Sequence, residues 1–467
     1  MFERRDEEDQ QKEFWIPTGQ LPAATPDSFY RRVNHTLDRI GFAKEVRAIC
    51  APAYADVARG GRPGIDPVVY MKMLMVGFFE NLPSERAIAS RCADSLSIRG
   101  FLGYSLTETT PDHSSLSIIR TRLDEEQFHA IHVVLLRALH AHGLLKGRNL
   151  GIDSSVIEAN ASLRALEDRN SEQSYWDYVK QLAAEAGIDP DDPKAVRRFD
   201  KKRPGRKTSN EQWVNPHDPE AKVGRTKDGA CDMIYKPEHV SDLDSGAIIE
   251  AQVRPGNAAD NVAPAQRVLA AVGTLLEAAP EANPERLGET CTADEGYFAV
   301  KEIGELQRCG VRTVIPDPHA QKRRCHLPAE HHAILKRARR SVKSKRGKAL
   351  LRKRGEHLER GFCHVLDHGG LRRATLRGCE NLTKRHLAVA MTFNLSLLLR
   401  TLFGKGTAKQ WLAGPLRDLF RWIKALLSHL PRMLPQRIVA PPVFTTLLCL
   451  RQISACVRAM PGFSTGC

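Results

Sequence analysis

The sequence predicts an α/β protein in which a mixed β-sheet carries packed helices and an all-α region precedes it. Three observations predict this. Helical patterning runs from about Ser28 to Leu145, a strand pattern opens at Asn149, and strands and helices then alternate as far as Ile315. With 467 residues, 42% of them hydrophobic, the chain is long enough for two or three domains and has ample material for a core.

The N-terminal helices are marked by their starts. Asp66-Pro67 supplies an N-cap and a first-turn proline, and Val68 to Phe79 is apolar nearly all round, which marks a buried helix. Ser84 caps a shorter, more polar helix over Glu85 to Cys92. After Gly100-Phe101-Leu102-Gly103, Pro111-Asp112-His113-Ser114-Ser115 begins another helix, bearing Arg120 and Arg122. Short helices with tight turns and exposed arginines suit a helix-turn-helix, and equally a helical bundle that makes dimer contacts.

Asn149 to Val156 reads as a strand. Residues from about 163 to 227 read as a polar insertion, with the basic run Lys201 to Lys207 and then Trp213 in a loop. A hairpin follows: Met233 to Val240, a turn over Asp242-Leu243-Asp244-Ser245-Gly246, and Ala247 to Val253. Asn261 to Ala279 is an amphipathic helix that tolerates Pro264 in its first turn. Glu289 to Asp294 is a strand ending in an acid, Ala299 to Gln307 a short helix, and Val311 to Ile315 a strand. From Gln321 to Arg354 basic residues crowd the chain with Glu330 the only acid, and a long helix is expected from about Lys348 to Asp367. The tail beyond Asn381 is helical and apolar. The expected domains are therefore 1–145, 146–400 and 401–467.

A formal net charge of +15 favours a polyanionic partner, nucleic acid first. Eleven scattered cysteines, an odd number, do not resemble a disulfide framework and suggest a reducing cytosol. The charged start, Met1 to Glu8, shows no apolar secretion signal. Val439 to Leu450 is too short to span a bilayer and holds Pro441-Pro442, so no membrane association is expected and the expected location is cytoplasmic. Cys309, Cys325-His326 and His331-His332 lack a C-x-x-C pair, which argues against zinc. No P-loop, G-x-G-x-x-G or G-x-S-x-G pattern supports ATP-driven or hydrolase-triad chemistry.

Phosphodiester chemistry needs an activated oxygen nucleophile and a sink for charge on the leaving oxygen. Two divalent ions roughly 3.5–4 Å apart do both, and hard cations take carboxylate ligands. Asp153 lies in an apolar strand with Gly151 and Ser155 on its face. Asp294 ends a later strand, where clefts form in open sheets. On a helical wheel Leu351, Leu358, Phe362, Val365 and Leu366 make an apolar arc, with Glu359 at its margin and Glu356 turned to solvent. Each acid also has an ordinary explanation. The aspartates suit turns or caps, and Glu359 suits a salt bridge to Arg354 or Arg360.

Taken together, three motifs resemble those of DDE transposases from bacterial insertion sequences: Gly151-Ile152-Asp153-Ser154-Ser155-Val156-Ile157-Glu158-Ala159-Asn160, Thr292-Ala293-Asp294-Glu295-Gly296-Tyr297 and Arg354-Gly355-Glu356-His357-Leu358-Glu359-Arg360-Gly361-Phe362. The segment from Gly61-Arg62-Pro63 to Pro111-Asp112-His113-Ser114 is similar to the helical N-terminal domain of one branch. His217 to Lys222, Tyr235 to His239, Leu376-Arg377-Gly378 and, weakly, Phe463 to Cys467 look like that branch too. Gly361-Phe362-Cys363-His364 departs from the Pro-Phe-Ala-His-like run expected there. Glu380 is a rival third acid, read as a first-turn residue of the next helix.

The resemblance implies a ribonuclease-H-like core, Mg²⁺ or Mn²⁺ held by Asp153, Asp294 and Glu359, and DNA ends and target DNA as substrates. It implies cleavage that frees a 3′-OH, then attack by that hydroxyl on target DNA. A homodimer is expected because two ends must be brought together, and the expected setting is a bacterial nucleoid. Arg339, Arg340, Lys343, Lys345, Arg346 and Arg354 are the expected phosphate contacts, with Lys201 to Lys207 and Trp213 weaker ones. The alternatives are a related metal-dependent nuclease that does not join, and an inactive DNA-binding derivative.

Overall fold

The computed structural model describes residues 28–54, 64–204, 210–226, 228–320 and 328–412. Helices α1 (Phe29–Arg39) and α2 (Phe42–Tyr54) precede α3 (Pro67–Phe79), which is buried along nearly all its length. The Asp66 carboxylate caps α3 by accepting the Val68 amide at 2.9 Å. Ser84 and Asp112 cap α4 (Glu85–Asp94) and, beyond α5 (Leu96–Leu102), α6 (His113–Arg122) in the same way. A reciprocal capping box between Asp124 and Gln127 starts α7 (Glu125–Ala141). Arg120 is not an exposed cation, since it pairs with Glu85 in a half-buried site and bonds Asn381 at 3.2 Å. Arg122 stays exposed, its guanidinium 4.6 Å from the centre of the Tyr54 ring.

The sheet begins with β1 (Asn149–Ser154) and the short β2 (Ile157–Glu158). The expected polar insertion is itself folded. It contains β3 (Glu167–Asp168), α8 (Tyr175–Glu185), α9 (Pro193–Lys202) and β4 (Trp213–Val214). Trp213 is buried, with Tyr175 and Tyr178 ring centres at 5.0 and 5.6 Å, and Val179, Ala183 and Val196 complete this small core. Trp213 is therefore a packing residue and not a surface for bases. Residues 205–207 of the basic run lie outside the described residues.

Then come β5 (Lys222–Arg225), β6 (Cys231–Asp242), β7 (Ile248–Pro255), α10 (Pro264–Ala278), β8 (Thr290–Thr292), α11 (Val300–Arg308) and β9 (Arg312–Val314). The helices α12 (Ala329–Lys343), α13 (Lys345–Phe362) and α14 (Cys379–Phe403) follow. Across the sheet the order is β7-β6-β1-β8-β9, with β2 and β5 also pairing to β6. The first two contacts are antiparallel, and β1, β8 and β9 are mutually parallel. The parallel register sets Gly151 opposite Thr292.

Helix α13 packs on β1, and α12 packs on β9 and α11. A Cβ on Gly151 would come within 2.5 Å of the Leu243 side chain and 2.9 Å of Leu358, so glycine lets α13 approach the strand. The expected long helix begins at Lys345, capped by Ser344, and gives way at Cys363–His368 to a π-helical turn. Helix α14 packs against β7, α3 and α7. Its Asn394 bonds both the N–H and the C=O of Ile248, and its Thr383 accepts the Val253 amide, so side chains satisfy backbone groups that β7 leaves without a strand partner. By length and composition α14 could cross a bilayer, but it is buried protein core. The helical region and the sheet share this core as one compact unit up to Trp411. Most of the tail expected from 401 lies outside the described residues.

Candidate active site

Adjacent parallel strands deliver two of the expected carboxylates side by side. Asp153 and Asp294 each lie two residues beyond the Gly151–Thr292 pair, at the C-terminal ends of β1 and β8 and on the same face. Asp294 also caps a 3-10 turn, where its Oδ1 accepts the Gly296 amide at 3.0 Å. Asp153 Oδ1 accepts the Ser154 amide at 2.9 Å, and its Oδ2 lies 3.0 Å from Nη1 of Arg354 on α13. Burial pushes the Asp153 carboxyl up to about 6; Arg354 opposes this, while the negative charges of Asp294 and Asp260 add to it.

Asp260 is a site-wall residue that the sequence reading missed. Its Oδ1 accepts the Ser154 hydroxyl at 2.8 Å, the Lys236 ammonium at 2.8 Å and the Arg254 guanidinium at 3.3 Å. Below it Glu238 is buried and takes Arg254, Arg267, Gln252 and the Tyr297 hydroxyl as partners. Such density of donors is what keeps a buried carboxylate from being destabilising. The network ties β6, β7 and the loop into α10 beneath the Asp153 strand end. Asp260 sits in Gly256-Asn257-Ala258-Ala259-Asp260-Asn261, where a loop acid before a helix carries the ordinary signature of a cap.

Glu359 does not join the aspartates in this conformation. Its side chain is exposed, and its Oε1 is 4.0 Å from where a Cβ of Gly355, on the same helix, would stand. The wheel placed it at the margin of an apolar arc; the π turn breaks the 100° step on which Val365 and Leu366 were added to that arc. Glu380, in the first turn of α14, is ion-paired to Lys384 one turn further on. Among the described residues no three His, Cys, Asp or Glu side chains sit close enough to share one metal ion. Asp153 and Asp294 alone form a hard-oxygen pair whose mutual repulsion a divalent cation would relieve. Cys325 and His326 lie outside the described residues.

The six basic residues separate by role. Arg339 holds buried Asp317 through two bonds, at 3.0 and 2.6 Å, and clasps α12 to the loop after β9. Arg346 pairs with Glu289 at 2.9 Å, and Arg354 with Asp153. Arg340, Lys343 and Lys345 are exposed. Arg340 lines two adjoining cavities on the α12 surface, of 710 and 480 Å³, and Lys336 and Lys343 line the larger. Neither cavity is lined by Asp153, Asp294 or Glu359.

Two family models match the chain. A transposase domain (DUF772) covers residues 20–122, and a transposase DDE domain covers residues 291–399, which takes in Asp294, α12, α13 and nearly all of α14. No curated protein matches the chain.

Proposed function

Because the chain belongs to the DDE transposases and carries a transposase N-terminal domain, we propose that it cuts DNA at the ends of its element and joins them to target DNA. The observation that carries this reading is the pair Asp153 and Asp294 on adjacent parallel strand ends. The strand order β7-β6-β1-β8-β9, with its central parallel contact, supports a ribonuclease-H-like core.

In this reading Asp153, Asp294 and Glu359 would hold Mg²⁺ or Mn²⁺, which would supply charge stabilisation at the reacting phosphate. The first step adds a water oxygen to phosphorus at the element end, breaks the P–O3′ bond and leaves a 3′-OH. In the second, that hydroxyl attacks a target phosphodiester and displaces the target's own 3′ oxygen. Ser154, Lys236 and Arg254 hold Asp260 in the wall beside the aspartates. Glu359 enters as third carboxylate on its motif alone. Arg340, Lys343 and Lys345 grip DNA phosphates, and two chains act together on two ends.

The test is an excision and strand-transfer assay in Mg²⁺, with the DNA flanking the gene as donor. Wild type is expected to give joined products, while Asp153→Asn and Glu359→Gln give none and still bind DNA. Cleavage without joining would assign a nuclease. Cleavage by Glu359→Gln would remove that residue from the site.

A further inference from the structure

Arg354 is poorly satisfied for a guanidinium at such a position. Its side chain is 17% exposed, and its Nη1 stands 3.0 Å from Asp153 Oδ2. Yet Nε and Nη1 are both buried and neither has a hydrogen bond of good geometry. The contact is an ion pair by distance only. Two donors are therefore held out of water, where an unmade hydrogen bond is costly. Arg254 and Arg267 also leave a buried Nε without a hydrogen bond, but Arg354 leaves Nη1, the atom facing its carboxylate, unbonded as well, whereas Arg339 puts two donors on one Asp317 oxygen.

The charge count explains what Arg354 does there. Asp153 and Asp294 bring two negative charges and Arg354 one positive charge, so the three together are left with a single negative charge. A divalent cation on the aspartates would turn that into a single positive charge. The surplus then resides on Arg354, whose unused donors match a phosphodiester in charge and in fork geometry. Arg354 also stands on α13, the helix that carries Glu359 and follows the exposed cations of α12.

We infer that Arg354 is a displaceable counter-ion, neutralising Asp153 in the metal-free protein and passing to a DNA phosphate when a divalent cation takes its place. This inference rests on the carboxylate reading above. It makes cation binding and DNA binding mutually reinforcing, because each frees the group the other needs.

The experiment is Mn²⁺ titration of the full chain, followed by electron paramagnetic resonance, together with binding of a fluorescein-labelled duplex with and without Ca²⁺. Without DNA, Arg354→Met is expected to bind Mn²⁺ about tenfold tighter than wild type, since the competing cation is gone. Arg354→Lys keeps a charge beside Asp153 and is expected to stay within about twofold of wild type, which separates charge from packing. Ca²⁺ is expected to tighten duplex binding by wild type about fivefold or more, and Arg354→Met to lose that gain. Equal Mn²⁺ affinity in wild type and Arg354→Met would overturn the counter-ion role and leave the carboxylate reading standing. Mn²⁺ binding that is unchanged by Asp153→Asn would overturn both.

Discussion

At the scale of single residues, Asp153 is held against its own charge. Its carboxyl, normally ionised above pH 4, is raised to about 6, first by burial and then by its acidic neighbours. A folded-state value above the unfolded one means that ionisation costs stability, a cost that grows as pH rises through that window and is complete above it. Metal-free Asp153→Asn is therefore expected to melt higher than wild type at pH 7.5, by about 1–3 kcal/mol of stability, and to lose all strand cleavage. Glu359→Gln, at an exposed position, is expected to leave the melting temperature unchanged. Differential scanning calorimetry in a chelator checks both, and a lower melting point for Asp153→Asn would show that the Arg354 pair outweighs the burial. Mn²⁺ affinity is expected to fall as pH drops below about 6, where protons compete for the same oxygens.

At the scale of elements, α12 divides its arginines between structure and surface. Replacing Arg340 and Lys343 by alanine is expected to lower the salt dependence of DNA binding by roughly two charges' worth while leaving stability alone. Arg339→Ala is expected to do the reverse, because it removes two charge-assisted bonds from the buried Asp317 carboxylate. Fluorescence anisotropy across a salt series, with urea unfolding beside it, separates the two. An unchanged salt slope in Arg340→Ala/Lys343→Ala would remove α12 from the DNA surface. Elements announced by local chemistry were legible in the sequence. The Asp66-Pro67 and Ser84 caps, the hairpin turn at Asp242 to Gly246 and the acid after β8 all fall where expected. What escaped is non-local. Nothing near Arg354 distinguishes it from the other cations of its run, and only the pairing of β1 with α13 gives it Asp153. The insertion read as polar because the aromatic residues that make its core, Tyr175 and Trp213, are far apart in a charged stretch. Glu359 stands beside buried Leu358 and Phe362 on its helix yet faces solvent, which a place at the margin of a wheel cannot decide.

For the whole molecule, acid is the weak direction. His132, His239 and His386 are buried, and burial lowers each, His132 to about 4 and His386 to about 3; half-buried His364 is lowered to about 4 in the same way. An unfolded chain takes up protons near pH 6.5 that these folded histidines refuse, so stability is full above that value and is lost as pH falls through 4 towards 3. His129 opposes this, since its bond to Glu250 raises it and favours the fold on the acid side. The raised carboxyls of Asp153 and Asp242 act in the same sense as His129, and His357, lowered by burial, acts with the other histidines. Because the histidines begin to differ from the unfolded chain near pH 6.5, the urea midpoint is expected to drop between pH 7 and pH 5, and a flat profile would clear the histidines of that role. The placement of α14 bears on how such genes decay. It closes the second family segment yet fills the space between the first segment's helices and the sheet. A copy whose reading frame is lost before Cys379 would leave β7, α3 and α7 with bare apolar faces, and the cell's proteases would clear the product. Truncated copies of this kind would therefore fall silent.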